Sequence, residues 1–331
     1  MFRLSSLSAV PDRVIERSIR RLLLLIAVAA VAFTAIYVAD RWRPAAPTIV
    51  DRRTAALEEA VRADPADISA RGQLADAYFA AGRYPDAIDQ YDAILETGKA
   101  DTLAHLSRGR AYLAAGQLDA AVADYEAVVA ALVGTEMANV DPTLESAYYA
   151  LGSIALSQDR AEDAVGHLER ALAIKRADAD ALNLLGQAYV AVGRPDDAIA
   201  ALRRAIDFVP IGWGEPYDAL ATAYTDAGDV ALAEWAAAMA IMQAGDLPTA
   251  DARLSALLDG PAAVEARIGL ALIAETRGDT AAAAARYEEA LALDPDSTAA
   301  RLGLARVGAG SDEVPAAPLP DLPTPGAGDD R

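Results

Sequence analysis

The hydrophobic pattern changes character once along the chain. Leu22 to Ala39 are eighteen consecutive positions without a charge. As a helix this run is roughly 27 Å long, enough for the hydrocarbon core of a bilayer. No later segment is uniformly apolar for so long. Apolar residues there recur at helical spacing in blocks of a dozen or so, punctuated by glycine, which predicts a succession of amphipathic helices and turns.

The blocks can be aligned on one another, which reveals an internal repeat. Leu74-Ala75-x2-Tyr78, Arg108-Gly109-x2-Tyr112, Leu185-Gly186-x2-Tyr189 and Leu220-Ala221-x2-Tyr224 share one pattern. A glycine follows each at the same distance: Gly82, Gly116, Gly193 and Gly228. Then come a small residue (Ala87, Ala121, Ala198, Ala233), a larger one (Tyr91, Tyr125, Leu202, Ala237) and a third helix-filling one (Ile94, Val128, Ala205, Ala240). The interval from Ala75 to Gly109 equals that from Gly152 to Gly186, and the interval from Gly186 to Ala221 is one position longer.

Each element of the pattern has a physical reading. Small residues at Gly109, Gly152 and Gly186, facing Ala121, Ala164 and Ala198, let two helix axes approach within about 8–10 Å. Tyr78, Tyr112, Tyr189 and Tyr224 fill the wider gaps between layers. The glycines suit helix C-termini that need a left-handed residue. Pro85 and Pro195 suit the first turn of the next helix, and Asp86, Asp196 and Asp197 place negative charge at its positive end.

On these residues and this interval the chain resembles the tetratricopeptide family, whose 34-residue unit is a pair of antiparallel helices. The resemblance covers about residues 48–308. It implies an all-α fold, a right-handed α-solenoid of helix hairpins, here preceded by one transmembrane helix.

Departures from register predict the irregular parts. Residues 51–63 read as a second helix without its first, a cap. The interval from Gly109 to Gly152 grows to 43, and residues 133–143 read as a loop. The third unit has Asp159 where the others have glycine, and Ala155 in place of tyrosine. The interval from Ala221 to Ala271 is 50, which an additional helix near 247–258 accounts for. The last unit runs from about 264 to Pro295, with a closing helix over 297–307. Residues 309–331 hold five Pro with no apolar periodicity and read as a disordered tail.

The resulting plan is a basic cytoplasmic N-terminus (1–21), a membrane span (22–39), a linker (40–47), the solenoid (48–308) and the tail. The competing readings of the span are a cleaved signal peptide and a buried core helix. A cleavage site after Ala39 would put Tyr37 at the −3 position, where a small residue is needed. Arg20 and Arg21 precede the run, Arg41, Trp42 and Arg43 follow it, and Tyr37 and Trp42 stand where interfacial aromatics are expected. Five Arg before the span favour a cytoplasmic N-terminus, with the repeats outside the plasma membrane. The many Ala and the use of Arg for all but two cations point to a GC-rich, prokaryotic genome.

Charge narrows the choice of partners. The net charge is −20, yet residues 1–43 carry seven Arg against three acids, so the remainder holds −24. Such a surface repels nucleic acid and suits basic protein segments. There is no cysteine, which removes disulfides, thiolate metal sites and cysteine nucleophiles together. His105 and His167 are the only histidines, in different units, and are expected at ordinary surface or packing positions. Adjacent acids such as Glu58-Glu59, Asp196-Asp197 and Glu288-Glu289 diverge by about 100° on a helix and read as solvated. Neither a phosphate-cradling glycine loop nor a cofactor is expected, and the chain reads as a non-enzyme.

The resemblance implies that partners lie on a concave face lined by the first helix of each unit. Its outward positions map to Gln73, Asp76, Ser107, Arg110, Tyr149, Ser153, Asn183, Gln187, Asp218 and Thr222. These positions lack the lysines with which some family members grip the C-terminal carboxylate of a chaperone. Three functions follow as expectations: a scaffold or assembly factor binding partner segments in that groove, an envelope chaperone holding secreted clients, or a self-assembling structural protein.

Overall fold

The computed structural model describes residues 12–41, 49–98 and 102–309; on its first helix, side chains are described at 20–34 and 37. The chain divides after residue 59 into two units. The first contains one long helix, α1 (Asp12–Arg41), and most of α2 (Ile49–Ala63). Nine large side chains of α1, from Leu22 to Tyr37, are 54–71% exposed. Thr34 donates its hydroxyl to the Ala30 carbonyl at 2.8 Å, and Phe33 stacks on Tyr37. Among the described residues no helix is long and apolar enough to cross a membrane. The membrane span expected over 22–39 is therefore not supported by the fold. Backbone helix runs past both expected ends of that span, and α2 covers the residues of the helix expected over 51–63. Residues 1–11, 42–48, 99–101 and 310–331 lie outside the described residues, and with them 42–47 of the expected linker and all but the first residue of the expected tail.

The second unit is a row of helices: α3 (Ile68–Ala80), α4 (Tyr84–Leu95), α5 (Thr102–Ala114), α6 (Leu118–Leu132), α7 (Pro142–Ser157), α8 (Ala161–Ile174), α9 (Ala179–Ala191) and α10 (Pro195–Phe208). It continues through α11 (Glu215–Ala227), α12 (Val230–Gln243), α13 (Leu247–Ser255), α14 (Ala263–Thr276), α15 (Thr280–Leu293) and α16 (Thr298–Ala309). The expected extra helix is α13 and the closing helix is α16. The expected loop carries one short 3-10 turn, Ala138–Val140.

A left-handed residue sets the phase of each hairpin. Gly82, Gly116, Gly193, Gly245 and Gly278 have φ of 72–93°, and Asp159 takes φ 57° in the third unit. The next N–H bonds back five positions, as Arg83 does to Tyr78 and Arg194 to Tyr189, which satisfies carbonyls at the helix end. Five and nine positions beyond the left-handed residue stand the two side chains that close the hairpin. These are Ala87 and Tyr91, Ala121 and Tyr125, Ala164 and Leu168, Ala198 and Leu202, Ala250 and Leu254, and Ala283 and Tyr287, all buried. A Cβ in the left-handed region costs about 1 kcal/mol that glycine does not incur. Asp159→Gly is therefore expected to raise the unfolding free energy by about 1 kcal/mol, read as a higher urea midpoint; an unchanged midpoint would contradict the strain.

The fifth unit breaks this rule. After Gly228 the rule selects Ala233 and Ala237, with Ala240 beyond, yet all three are only partly buried. The buried set is Trp235, Ala236, Ala238, Met239 and Met242. Trp235 wedges edge-on between Tyr217 (6.0 Å) and Tyr224 (6.5 Å), and seating its ring turns α12 away from the expected phase. The turned helix then meets α13 across a turn built on Gly245 and Pro248. So α12 serves as second helix to α11 and first helix to α13.

Along the row, α5 touches α7, α7 touches α9 and α9 touches α11, while α4, α6, α8 and α10 do not approach one another to the same extent. The side of a stack on which neighbours meet is the inside of its curve. The first helices therefore form the inner wall.

Candidate protein-binding face

The first helices place the sequence-selected positions unequally. Gln73, Asp76, Arg110, Asp218 and Thr222 are exposed, and Ser107, Tyr149, Ser153 and Gln187 are partly buried. Asn183 is only 3% exposed and its Oδ1 has no partner among the described residues. It belongs to the packed part of α9, which touches both α7 and α11, so it is not the outward-facing position expected. Thr222 turns its hydroxyl back to the Asp218 carbonyl at 3.2 Å, leaving its methyl group to the surface.

Three of the positions come together. The Tyr91 hydroxyl, on α4, donates to Asp76 Oδ1 at 2.6 Å. Ser107 bonds to the same hydroxyl. Burial first, and the Asp76 carboxylate second, hold Tyr91 well above the ordinary phenol range, so it remains a proton donor. The Arg110 guanidinium lies over the Phe79 ring, 5.4 Å from its centroid. An acid and a base, each braced by an aromatic ring, thus stand side by side on α3 and α5. The expected binding positions included Asp76, Ser107 and Arg110, whereas Tyr91 was named only as a large packing position of the repeat and Phe79 not at all. The signal for Tyr91 lies in its separation from Asp76, one position short of that between Gly109 and the Tyr125 ring across the next hairpin.

A second polar cluster went unread in the sequence. Arg108 donates through Nε to Asp124 Oδ2 (2.8 Å) and through Nη2 to Oδ1 (2.6 Å), and Nη1 bonds to Asp92. His105 Nδ1 lies 2.8 Å from Asp124 Oδ1. Asp92 and Asp124 stand at equal sequence separations on either side of Arg108, so the cluster stitches α4, α5 and α6 together. Asp124 is buried, and both its carboxylate oxygens are engaged. His167 sits beside Tyr148, and burial lowers its pKa, which keeps the ring neutral. Among the described residues no group of three or more His, Asp or Glu side chains is placed to hold a metal.

This row of hairpins with phased glycines matches known proteins as a fold. Family models described as tetratricopeptide repeat match residues 54–102, 73–136, 143–211 and 274–317, together more than half of the chain. The chain belongs to the tetratricopeptide repeat family. No curated protein matches it in sequence. Among solved structures, the C-terminal part of a tetratricopeptide repeat protein from Cytophaga hutchinsonii superposes with a TM-score of 0.50 at 19% identity, over 77% of this chain and 94% of that one. MamA aligns at 24% identity over 55% of this chain and 93% of its own, TM-score 0.47. YrrB, described as a TPR protein with an unusual peptide-binding site, aligns at 19% identity over 59% of this chain and 95% of its own, TM-score 0.49. At these identities the likeness is one of fold. Tetratricopeptide repeat proteins bind protein or peptide partners and are generally scaffolds rather than enzymes.

Proposed function

We propose that this chain is a membrane-anchored interaction scaffold or assembly factor that holds partner segments against the inner wall of its repeats. The observation that carries the reading is that Gln73, Asp76 and Arg110 on α3 and α5, and separately Asp218 and Thr222 on α11, are exposed on helices whose other sides are packed. Asp76 and Arg110 are already oriented, so a partner does not have to order them. The net charge favours basic partners.

Anchoring rests on α1. Nine large apolar or aromatic side chains more than half exposed on one helix form a patch that lipid or protein has to cover. The flanking arginines suit a bilayer, with the N-terminus cytoplasmic and the repeats outside the plasma membrane. Alkaline phosphatase fused after Arg331 is then expected to be active in a bacterial host, and an inactive fusion would reverse the orientation.

The binding face is tested by in-cell photo-crosslinking from Gln73 and Thr222, with Glu126 on the outer face of α6 as control. One discrete adduct from the first two positions supports a dedicated scaffold. A smear of many adducts favours the envelope chaperone, and adducts only with a second copy favour self-assembly. Equal labelling from all three positions, or none, removes the inner wall as the binding site.

A further inference from the structure

Away from the face just described, α10, α11, α12, α14, α15 and α16 enclose a cavity of about 320 Å³. It falls where the repeat interval stretches to admit α13. Its wall is largely apolar: Ile206, Trp235, Met239, Ile268, Leu272 and Leu302. Two arginines line it, and both are already engaged. Arg203 pairs with Glu265 at 2.6 Å and spreads over the Tyr224 and Trp235 rings. Arg306 makes two bonds to Glu275, at 2.7 and 2.8 Å, and a third to the Tyr287 hydroxyl. The acids at the mouth are less occupied. Asp207 has no ion-pair partner among the described residues, the Asp294 carboxylate accepts only the Asp296 backbone N–H, and Arg301 bonds to the backbone carbonyl of Asp296 rather than to its carboxylate. Once the internal pairs cancel, the lining is negative. The Trp235 indole, nine-tenths buried in this wall, also lacks an acceptor for its N–H among the described residues.

We propose that this cavity is a second binding site, one that takes a lysine or arginine of a partner peptide. The aliphatic stem fits the apolar wall, and the cation reaches the free carboxylates at the mouth. The volume, at the small end for ligand sites, suits one long side chain and part of its neighbour. An acidic ligand does not fit, because each arginine already holds a carboxylate. The site shares no lining residue with the face of Gln73, Asp76, Arg110, Asp218 and Thr222, and stands or falls apart from it.

Asp207 also makes the site sensitive to pH. Asp207 is exposed at the mouth, and the protein packed beside it raises its carboxyl above the ordinary range, to about 6. Burial is the main cause, opposed by Arg203 and Arg204 on its own helix. Glu265 of α14, Asp294 and Asp296 after α15, and Arg306 of α16 face the same space. Below about pH 6 Asp207 is protonated and its attraction for a cation is lost.

The test uses the full chain and three blocked, dye-labelled peptides, Gly-Leu-X-Leu-Gly with X as Lys, Gln or Glu, read by fluorescence anisotropy. The Lys peptide is expected to bind about tenfold tighter than the other two at pH 7.5, and less tightly at pH 5 or in high salt. Asp207→Asn is expected to weaken it about three- to tenfold, while Asp119→Asn on exposed α6 leaves it unchanged. Ala299→Phe, which fills the cavity, is expected to abolish binding with circular dichroism retained. Equal binding of the three peptides, preference for Glu, no binding to the wild type, or indifference to both cavity variants would overturn the proposal.

Discussion

Asp124→Ala is expected to lower the unfolding free energy by about 3 kcal/mol, the largest single loss among polar substitutions in the repeats. Asp124 is buried and accepts two bonds from Arg108 and one contact from His105. Truncating it leaves the guanidinium one-fifth exposed with only Asp92, itself partly exposed, as counter-charge. The cost is that of stranding a cation, and it exceeds what the intact pair contributes over an apolar substitute. Replacing Arg108 and Asp124 together by Met and Leu should therefore recover much of the loss. Glu126→Ala, on the opposite, exposed face of α6, should stay within about 0.5 kcal/mol of wild type. Urea unfolding at constant m-value checks all three, and a loss below about 1 kcal/mol for Asp124→Ala would show the cluster to be mere surface decoration.

Gly186→Ala is expected to cost about 2 kcal/mol, although it adds one methyl group to a helix and improves its intrinsic propensity by about 1 kcal/mol. A Cβ at Gly186 falls 2.3 Å from Leu202 Cγ and 2.6 Å from Cδ2, distances that no rotamer change of one atom relieves. The same close approach recurs at Gly152 against Leu168 (2.6 Å) and at Gly303 against Tyr287 (2.2 Å). Leu202→Ala alone should also be costly, by about 2–5 kcal/mol for a fully buried leucine. The two together should cost no more than Leu202→Ala alone, because the new methyl enters the space the leucine leaves. A double-mutant cycle reads this directly, and additive losses would mean that the two helices are not in contact there.

Both predictions concern one and the same sequence separation, Arg108 to Asp124 and Gly186 to Leu202, and that separation shows what could be read without coordinates. Glycine, the small residue five positions later and the large one nine positions later are local and chemically distinctive, so hairpins from Ile68 to Phe208 and the last unit could be phased from them. Asp159 was legible as an exception, and its left-handed backbone shows that the turn geometry outranks residue preference. The failures have equally local causes. Trp235 redirects α12 through contacts with Tyr217 and Tyr224, and nothing in the repeat pattern weighs a tryptophan against an alanine register. Asn183 was mapped outward on the assumption that every first helix shows the same face, whereas α9 is flanked by first helices on both sides. Arg108 was named only as a position of the repeat, because its partners Asp92 and Asp124 are distant in the chain although adjacent once the hairpins close. For α1 the apolar run was plain, but periodicity says nothing of what covers it.

The shared helix α12 has a consequence for how such an array can change length. Elsewhere a repeat module begins and ends at a turn, so duplicating or excising one leaves two matching seams. Around residues 229–255 there is no such seam. Cutting before α12 orphans α11, and cutting after it orphans α13, whose Leu254 lies where a Cβ at Gly269 of α14 would fall 2.9 Å from its Cδ1. Recombination by whole modules is therefore confined to the two flanks of this joint, and the segment between them is inherited or lost as one piece.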